Sequence, residues 1–229
     1  MAIRLYDLAG AADLRFSPNC WRTRLALAHK GLECEAVATP FTAIPRIEDG
    51  RVKTVPAIRD GDRLVVDSWA IAEHLEATYP GRPSLFGDAG GRAHARFVQA
   101  WVQSAVNPIL FRTIVADIHD RLLPEDKDYF RASRERRLGM TLEAAQAAAP
   151  AHVPALQAAL EPLRQVVAVE PFLAGDRPLY ADYVAVGSLL WARATSPRPI
   201  LAADDPVRAW VERCLDLFDG LARRVQAAA

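Results

Sequence analysis

The spacing of apolar residues changes partway along the chain. Over Ile3-Arg4-Leu5-Tyr6-Asp7-Leu8 apolar side chains fall at alternate positions, the period of a half-buried strand. A helix is expected next: Pro18 suits the first turn, where a backbone N–H would have no partner, and Ser17 falls at the N-cap. Trp21, Leu25 and Ala28 keep helical spacing until Lys30-Gly31 supplies a basic last turn and a stop. Cys34-Glu35-Ala36-Val37-Ala38 reads as a second strand, parallel to the first because a helix joins them. Residues 39–54 are irregular. Ala57-Ile58-Arg59 and Leu64-Val65-Val66 then flank Asp60-Gly61-Asp62, a hairpin-turn signal. A helix starting at Asp67-Ser68 turns Ala72, Leu75 and Tyr79 to one face and stops at Tyr79-Pro80-Gly81. The order predicts a small mixed sheet of four strands covered by helices.

From Pro80 to Gly91 proline and glycine mark a linker, and everything after it has the helical period. His94, Phe97, Val98, Trp101, Val102 and Ala105 form one stripe, with a kink expected at Pro108 before Ile114, Val115 and Ile118. Pro124-Glu125-Asp126 opens another helix, whose Arg131, Arg134, Arg136 and Arg137 could bind an anion but are expected rather to form a solvated face with Glu135 and Glu143. The stretch from Thr141 to Pro150 is rich in alanine and favours helix. The last helix follows Asp204-Asp205-Pro206 and keeps its stripe from Val207 and Trp210 through Phe218 and Leu221 to Val225. Two units are expected, residues 1–86 and 92–229.

Composition narrows the chemistry. The 229 residues carry 28 basic and 28 acidic side chains, so neither nucleic acid nor an anionic membrane is an expected partner. No apolar stretch has the length of a membrane-spanning helix and no secretory leader pattern is present, which leads to the expectation of a cytoplasmic protein. Cys20, Cys34 and Cys214 are too few and too scattered for a disulfide framework. The five histidines show no zinc-ligand spacing, so no metal is expected. Glycine-rich nucleotide loops and the Gly-x-Ser-x-Gly turn of serine hydrolases are missing from the sequence as well.

Three short segments remain: Ser17-Pro18-Asn19-Cys20-Trp21-Arg22 at a helix start, Val55-Pro56 before the hairpin, and Asp67-Ser68 at the next helix start. In that order they resemble the glutathione S-transferase superfamily, serine-type, over essentially the whole chain. The resemblance implies an α/β thioredoxin-like N-terminal domain plus an all-α C-terminal helical domain, with glutathione as co-substrate and a homodimer as the working unit. It also implies roles. Ser17 is the catalytic hydroxyl, donating to the glutathione thiolate at a helix N-terminus that itself favours an anion. Val55, before a cis Pro56, offers its backbone to the cysteinyl part of glutathione. Asp67 takes the γ-glutamyl ammonium while Ser68 and the helix N–H groups take its carboxylate. Lys53 takes the glycyl carboxylate, although Thr54 stands where many relatives have the basic or amide residue. Cys20 has no cysteine partner at position 17, so it is expected to be a buried helical thiol, and Arg22 a structural brace.

Further segments sharpen the resemblance. Phe172-Leu173-Ala174-Gly175-Asp176-Arg177-Pro178-Leu179-Tyr180-Ala181-Asp182-Tyr183 is similar to the family's helix-initiating signature, except that Leu179 replaces the usual capping Ser or Thr. His119-Asp120, Pro124-x-Asp126-x-Asp128-Tyr129, Ser133-Arg134-Glu135 and Leu217-Phe218-Asp219-Gly220 look most like the bacterial β-etherase branch. That branch implies thiolate attack on a hydrophobic aromatic small molecule with cleavage of a β-aryl ether. A non-catalytic carrier of hydrophobic ligands and a zeta-like glutathione-dependent isomerase are the alternative readings. Trp101, Asn107, Phe111 and His119 are candidates for the electrophile pocket, against the plainer reading of aromatic helix core.

Overall fold

The computed structural model describes residues 2–228. β1 (Ile3–Leu8), α1 (Pro18–His29) and β2 (Cys34–Thr39) make the expected βαβ unit, with Ile3 opposite Cys34 and Leu8 opposite Thr39 in parallel register. β3 (Ala57–Asp60) and β4 (Arg63–Val66) form the hairpin. Asp60 pairs with Arg63, which leaves Gly61-Asp62 as the loop, and Gly61 sits at φ +55°, a conformation open to glycine without steric cost. β3 runs antiparallel to β1, so the sheet order is β2-β1-β3-β4. Leu5 and Ile58 meet on the two central strands with no exposed surface, while β2 is an edge strand with most of its side chains in solvent. α2 (Ser68–Thr78) completes this half.

Residues 80–88 are a packed strap rather than a loose linker. Leu85 and Phe86 are buried, and Leu85 O accepts the N–H of Tyr180 at 2.8 Å. At its start, the buried Lys30 Nζ donates to Tyr79 O and Pro83 O, both at 3.2 Å, and pairs with Glu76 at 2.9 Å.

The second half is helical throughout: α3 (Ala89–Trp101), α4 (Asn107–Asp120), α5 (Pro124–Leu138), α6 (Leu142–Ala147), α7 (Ala149–Val167), α8 (Tyr180–Thr195) and α9 (Pro206–Gly220). The kink expected at Pro108 takes the form of a π-helical turn, Val102–Val106. Pro108 has no N–H to give Ser104 O, so the ladder resets to the wider bond just before it. α8 is the central helix, buried on every side from Tyr180 to Leu190. It lies against α1 so closely that a Cβ on Gly187 would stand 2.6 Å from Pro18 O. The absence of a side chain at Gly187 therefore sets the distance between the helical half and the first turn of α1.

Two details of the helical pattern differ from expectation. Phe97 is 70% exposed, although its spacing groups it with the buried Val98 and the partly buried Trp101. One helix has room for a limited core-facing arc, and Phe97 lies outside the arc that α8 covers. The final stripe does not continue as one helix. Leu217, Phe218 and Asp219 leave helical geometry, with Phe218 at φ +53°. Its ring packs instead against Tyr183 and His29 at centroid distances of 6.1 and 6.2 Å, a tertiary contact that local spacing cannot encode.

Among the described residues no helix is long and apolar enough to cross a membrane, and no group of three His, Cys, Asp or Glu side chains is placed to hold a metal ion.

Candidate active site

The first turn of α1 is built to hold Ser17 still. Ser17 is the N-cap, and its Oγ accepts the Cys20 N–H at 3.3 Å. That bond uses an oxygen lone pair, and the hydroxyl remains a donor with the Cys20 thiol beside it. Upstream, the Trp21 indole Nε1–H donates to Arg15 O at 3.0 Å, which ties the approach to Ser17 onto the helix it caps. Trp21 itself has 1% of its surface exposed, so the brace is rigid. Arg22 is also buried, and burial lowers its pKa from the ordinary arginine value against the nearby Tyr180 and Asp67, which act in the opposite direction.

Cys20 is a buried helical thiol. Its Sγ accepts the Leu8 N–H at 3.5 Å, and burial, with the Asp7 carboxylate adding to it, pushes the thiol far above its usual pKa. Cys214 is buried and shifted upward for the same first cause, whereas Cys34 is exposed on the sheet edge. Thiol labelling of the native protein at pH 8 is therefore expected to modify Cys34 alone, with Cys20 and Cys214 reacting only after unfolding. Peptide mapping of the labelled protein checks this.

Ser17 opens into a cleft of about 610 Å³ between the two halves. Lys53 and Val55 line the same cleft, brought there by the segment that follows the helical turns at Phe41–Gly50. The Val55–Pro56 peptide is cis. Pro56, Asp67 and Ser68 do not line the cleft but adjoin it: Pro56 follows Val55 in the chain, and its carbonyl accepts the Asp67 N–H at 3.1 Å. Asp67 caps α2, its Oδ1 accepting from Trp69 N at 2.9 Å and Ala70 N at 3.1 Å. It does so at φ +85°, a backbone conformation uncommon for a non-glycine residue and concentrated at ligand clamps. Ser68 is buried, and its carbonyl accepts the Tyr180 hydroxyl at 2.7 Å, so α8 fixes this helix start as well.

The far wall comes from the helical half. Of the four pocket candidates there, Asn107 and Phe111 line the cleft. Trp101 does not; its Nε1–H donates to Ala159 O inside the bundle at 3.1 Å. His119 packs beside Phe130 without reaching the lining. Phe111 stacks on Trp191 at 5.9 Å and 18°, while Phe41 meets Phe130 and Tyr129 at 5.7 and 6.1 Å, so the cleft is walled with aromatic faces.

Arg134 and Arg137 also line it, which corrects the expectation of a wholly solvated arginine face. Arg131 behaves as expected, reaching Glu135 at 2.9 Å and Glu143 at 2.8 Å. Phe130, Arg134 and Arg137 are spaced four and three apart, so they share one side of α5. An aromatic at i with arginines at i+4 and i+7 was the available signal, obscured because the four arginines look alike in sequence. Gln103 was missed for a different reason: it reaches the cleft from the π-helical turn, where regular helical phasing fails.

The buried Asp126 carboxylate joins the halves at this wall, accepting from Phe41 N at 2.7 Å and Thr42 N at 2.8 Å. It holds in place the segment that carries Phe41 over the cleft.

Comparison with known proteins agrees with this architecture. Residues 12–83 match the glutathione S-transferase N-terminal domain family, and residues 93–217 match the glutathione S-transferase C-terminal domain family. Glutathione S-transferase Z1 of Arabidopsis thaliana is 32% identical over 111 residues, 46% of this chain and 50% of that one. The chain thus spans about half the length of the zeta-class relatives it matches. The solved glutathione transferase GSTFuA3 of Phanerochaete chrysosporium superposes with a TM-score of 0.83 at 26% identity, covering 96% of this chain and 97% of that one. A glutathione S-transferase of Ceriporiopsis subvermispora, solved in complex with glutathione, gives 0.81 at 25% identity over 96% and 97%. With both halves matched in order and the whole fold superposed, the chain belongs to the glutathione S-transferase family.

Proposed function

We propose that the cleft binds glutathione against the N-terminal half and transfers its sulfur to an aromatic electrophile held by the helical half. The observation that carries this reading is Ser17. Its hydroxyl caps the helix and lines an aromatic-walled cleft at the positive end of α1. Such a donor stabilises the thiolate over the thiol without forming a covalent bond. The solved Ceriporiopsis relative holds glutathione, which supports glutathione as the co-substrate here.

In this reading Val55 pairs its backbone with the cysteinyl unit, and Lys53 takes the glycyl carboxylate. Ser68 and the first N–H groups of α2 receive the γ-glutamyl carboxylate, with Asp67 attracting its ammonium. The capping bonds use Asp67 Oδ1 and leave its second oxygen for that role. The electrophile we favour is a β-aryl ether. The thiolate sulfur forms a C–S bond at the carbon bearing the aryloxy group, and the C–O bond breaks with its electron pair going to oxygen. The phenoxide then takes up the proton that the thiol released, so glutathione and ether give a thioether and a phenol. Holding both partners in one cleft removes much of the orientational cost of the encounter.

The test is mass-spectrometric product analysis with glutathione and a mixture of β-aryl ethers, aryl halides and unsaturated ketones. A glutathione thioether with release of the matching phenol is the expected result. An isomerised product with no glutathione consumed would identify an isomerase instead, and tight binding without any product would identify a carrier.

A further inference from the structure

We propose that the electrophile carries a carboxylate and that Arg134 and Arg137 bind it. This inference deepens the transferase reading and rests on it. Three cationic side chains line the cleft, Lys53, Arg134 and Arg137, and no Asp or Glu does. On the same helix Arg131 is neutralised by Glu135 and Glu143. Among the described residues neither Arg134 nor Arg137 has a carboxylate within ion-pair distance, and the two like charges stand one helical turn apart.

What they have instead is aromatic support. The Arg134 guanidinium lies 4.8 Å from the Phe130 ring centroid and 5.4 Å from that of Phe41, and the Arg137 guanidinium 5.7 Å from that of Phe111. Packing on a ring face fixes the guanidinium plane and leaves the N–H donors on its edge free to form the two-point hydrogen bond that a carboxylate accepts. The protein engages Arg134 at Ser133 Oγ, from Nη1 at 2.9 Å, and at Tyr129, and its remaining donors are open. Aromatic faces beneath and an uncompensated pair of guanidinium groups beside them fit an aryl carboxylate better than a neutral arene.

Glutathione has carboxylates of its own, so the test must separate the two sources. The probes are 4-chloro-3-nitrobenzoate and its methyl ester, each enzymatic rate divided by the uncatalysed rate with glutathione at the same pH. The thiolate displaces chloride from either one. Wild type is expected to favour the acid over the ester by about tenfold, the effect of one charge-assisted hydrogen-bonding pair. Arg137→Gln, at an exposed position that leaves the core intact, is expected to remove most of that preference, and the double variant with Arg134→Gln all of it. A preference absent from wild type, or retained in both variants, overturns the proposal. So does a raised KM for glutathione with the acid-to-ester ratio unchanged, which would assign the arginines to the glycyl carboxylate. Calorimetric binding of 3-nitrobenzoate and methyl 3-nitrobenzoate in the presence of S-methylglutathione reads the anion site without turnover. Binding that is specific to the acid and sensitive to R137Q upholds the site even if the transferase reading fails, and equal binding of the two overturns it.

Discussion

Replacing Ser17 by alanine is expected to lower kcat/KM for glutathione conjugation on the order of 100-fold, the usual cost of removing one preorganised donor from a developing or resident anion. The loss depends on pH in a defined direction. With the hydroxyl present, bound glutathione is expected to ionise below the ordinary thiol value of about 8.5, which would make the rate already high at neutral pH. Without it the rising limb of the pH profile moves up toward that value. The deficit is therefore largest near pH 6.5 and shrinks near pH 9. Ser17→Ala also removes the cap on Cys20 N, which costs about 1 kcal/mol of stability. Ser17→Gly separates the two effects, because glycine is tolerated at an N-cap within a few tenths of a kcal/mol yet has no hydroxyl. The glycine variant is expected to keep near-native stability and show the same kinetic defect.

Asp182→Ala is expected to cause the largest loss of stability, roughly 3–5 kcal/mol, since three donors lose their shared acceptor and each orphaned donor costs about 1–3 kcal/mol. Its fully buried carboxylate accepts from Leu173 N at 2.8 Å, Leu179 N at 3.0 Å and the Trp210 indole Nε1 at 3.1 Å. Burial raises the pKa of this carboxyl, opposed by those same three donors. Leu179 has no side-chain oxygen with which to cap α8, so Asp182 in the first turn organises the approach to that helix from inside it. The consequence extends to the active site because α8 carries Gly187 against Pro18 and Tyr180 against Ser68. Thermal unfolding is expected to shift down by about 10 °C, and KM for glutathione to rise as both helix starts lose their support. Asp182→Asn, which keeps an acceptor, is expected to lose less.

What could be read from the sequence follows the range of the interactions. Ile3–Leu8, the Pro18 helix start and the Gly61-Asp62 turn are local devices, and each element lies where its own residues specify. The substitution at Leu179 is also local, and the Asp182 bonds that compensate for it involve a residue three positions on. Phe97 and Phe218 mark the limit. Helical spacing says which residues share a face but not which face the rest of the protein covers, nor that Phe218 leaves the helix to meet Tyr183 and His29. The candidate site divides along the same line. Ser17, Lys53 and Val55 lie in segments whose motifs can be read residue by residue, and all three line the cleft. Arg134, Arg137, Gln103 and Phe41 reach it only because α5, the π-helical turn and the 41–50 segment converge, which is tertiary information.

The central claim is that Ser17 holds glutathione as its thiolate, and the most direct measurement is an ultraviolet titration of the thiolate absorbance of glutathione bound to the wild-type protein and to Ser17→Gly. The account predicts a wild-type midpoint well below about 8.5, the value for a free thiol, and a variant midpoint close to it. Coincident midpoints in the two proteins, with glutathione bound to both, would contradict it.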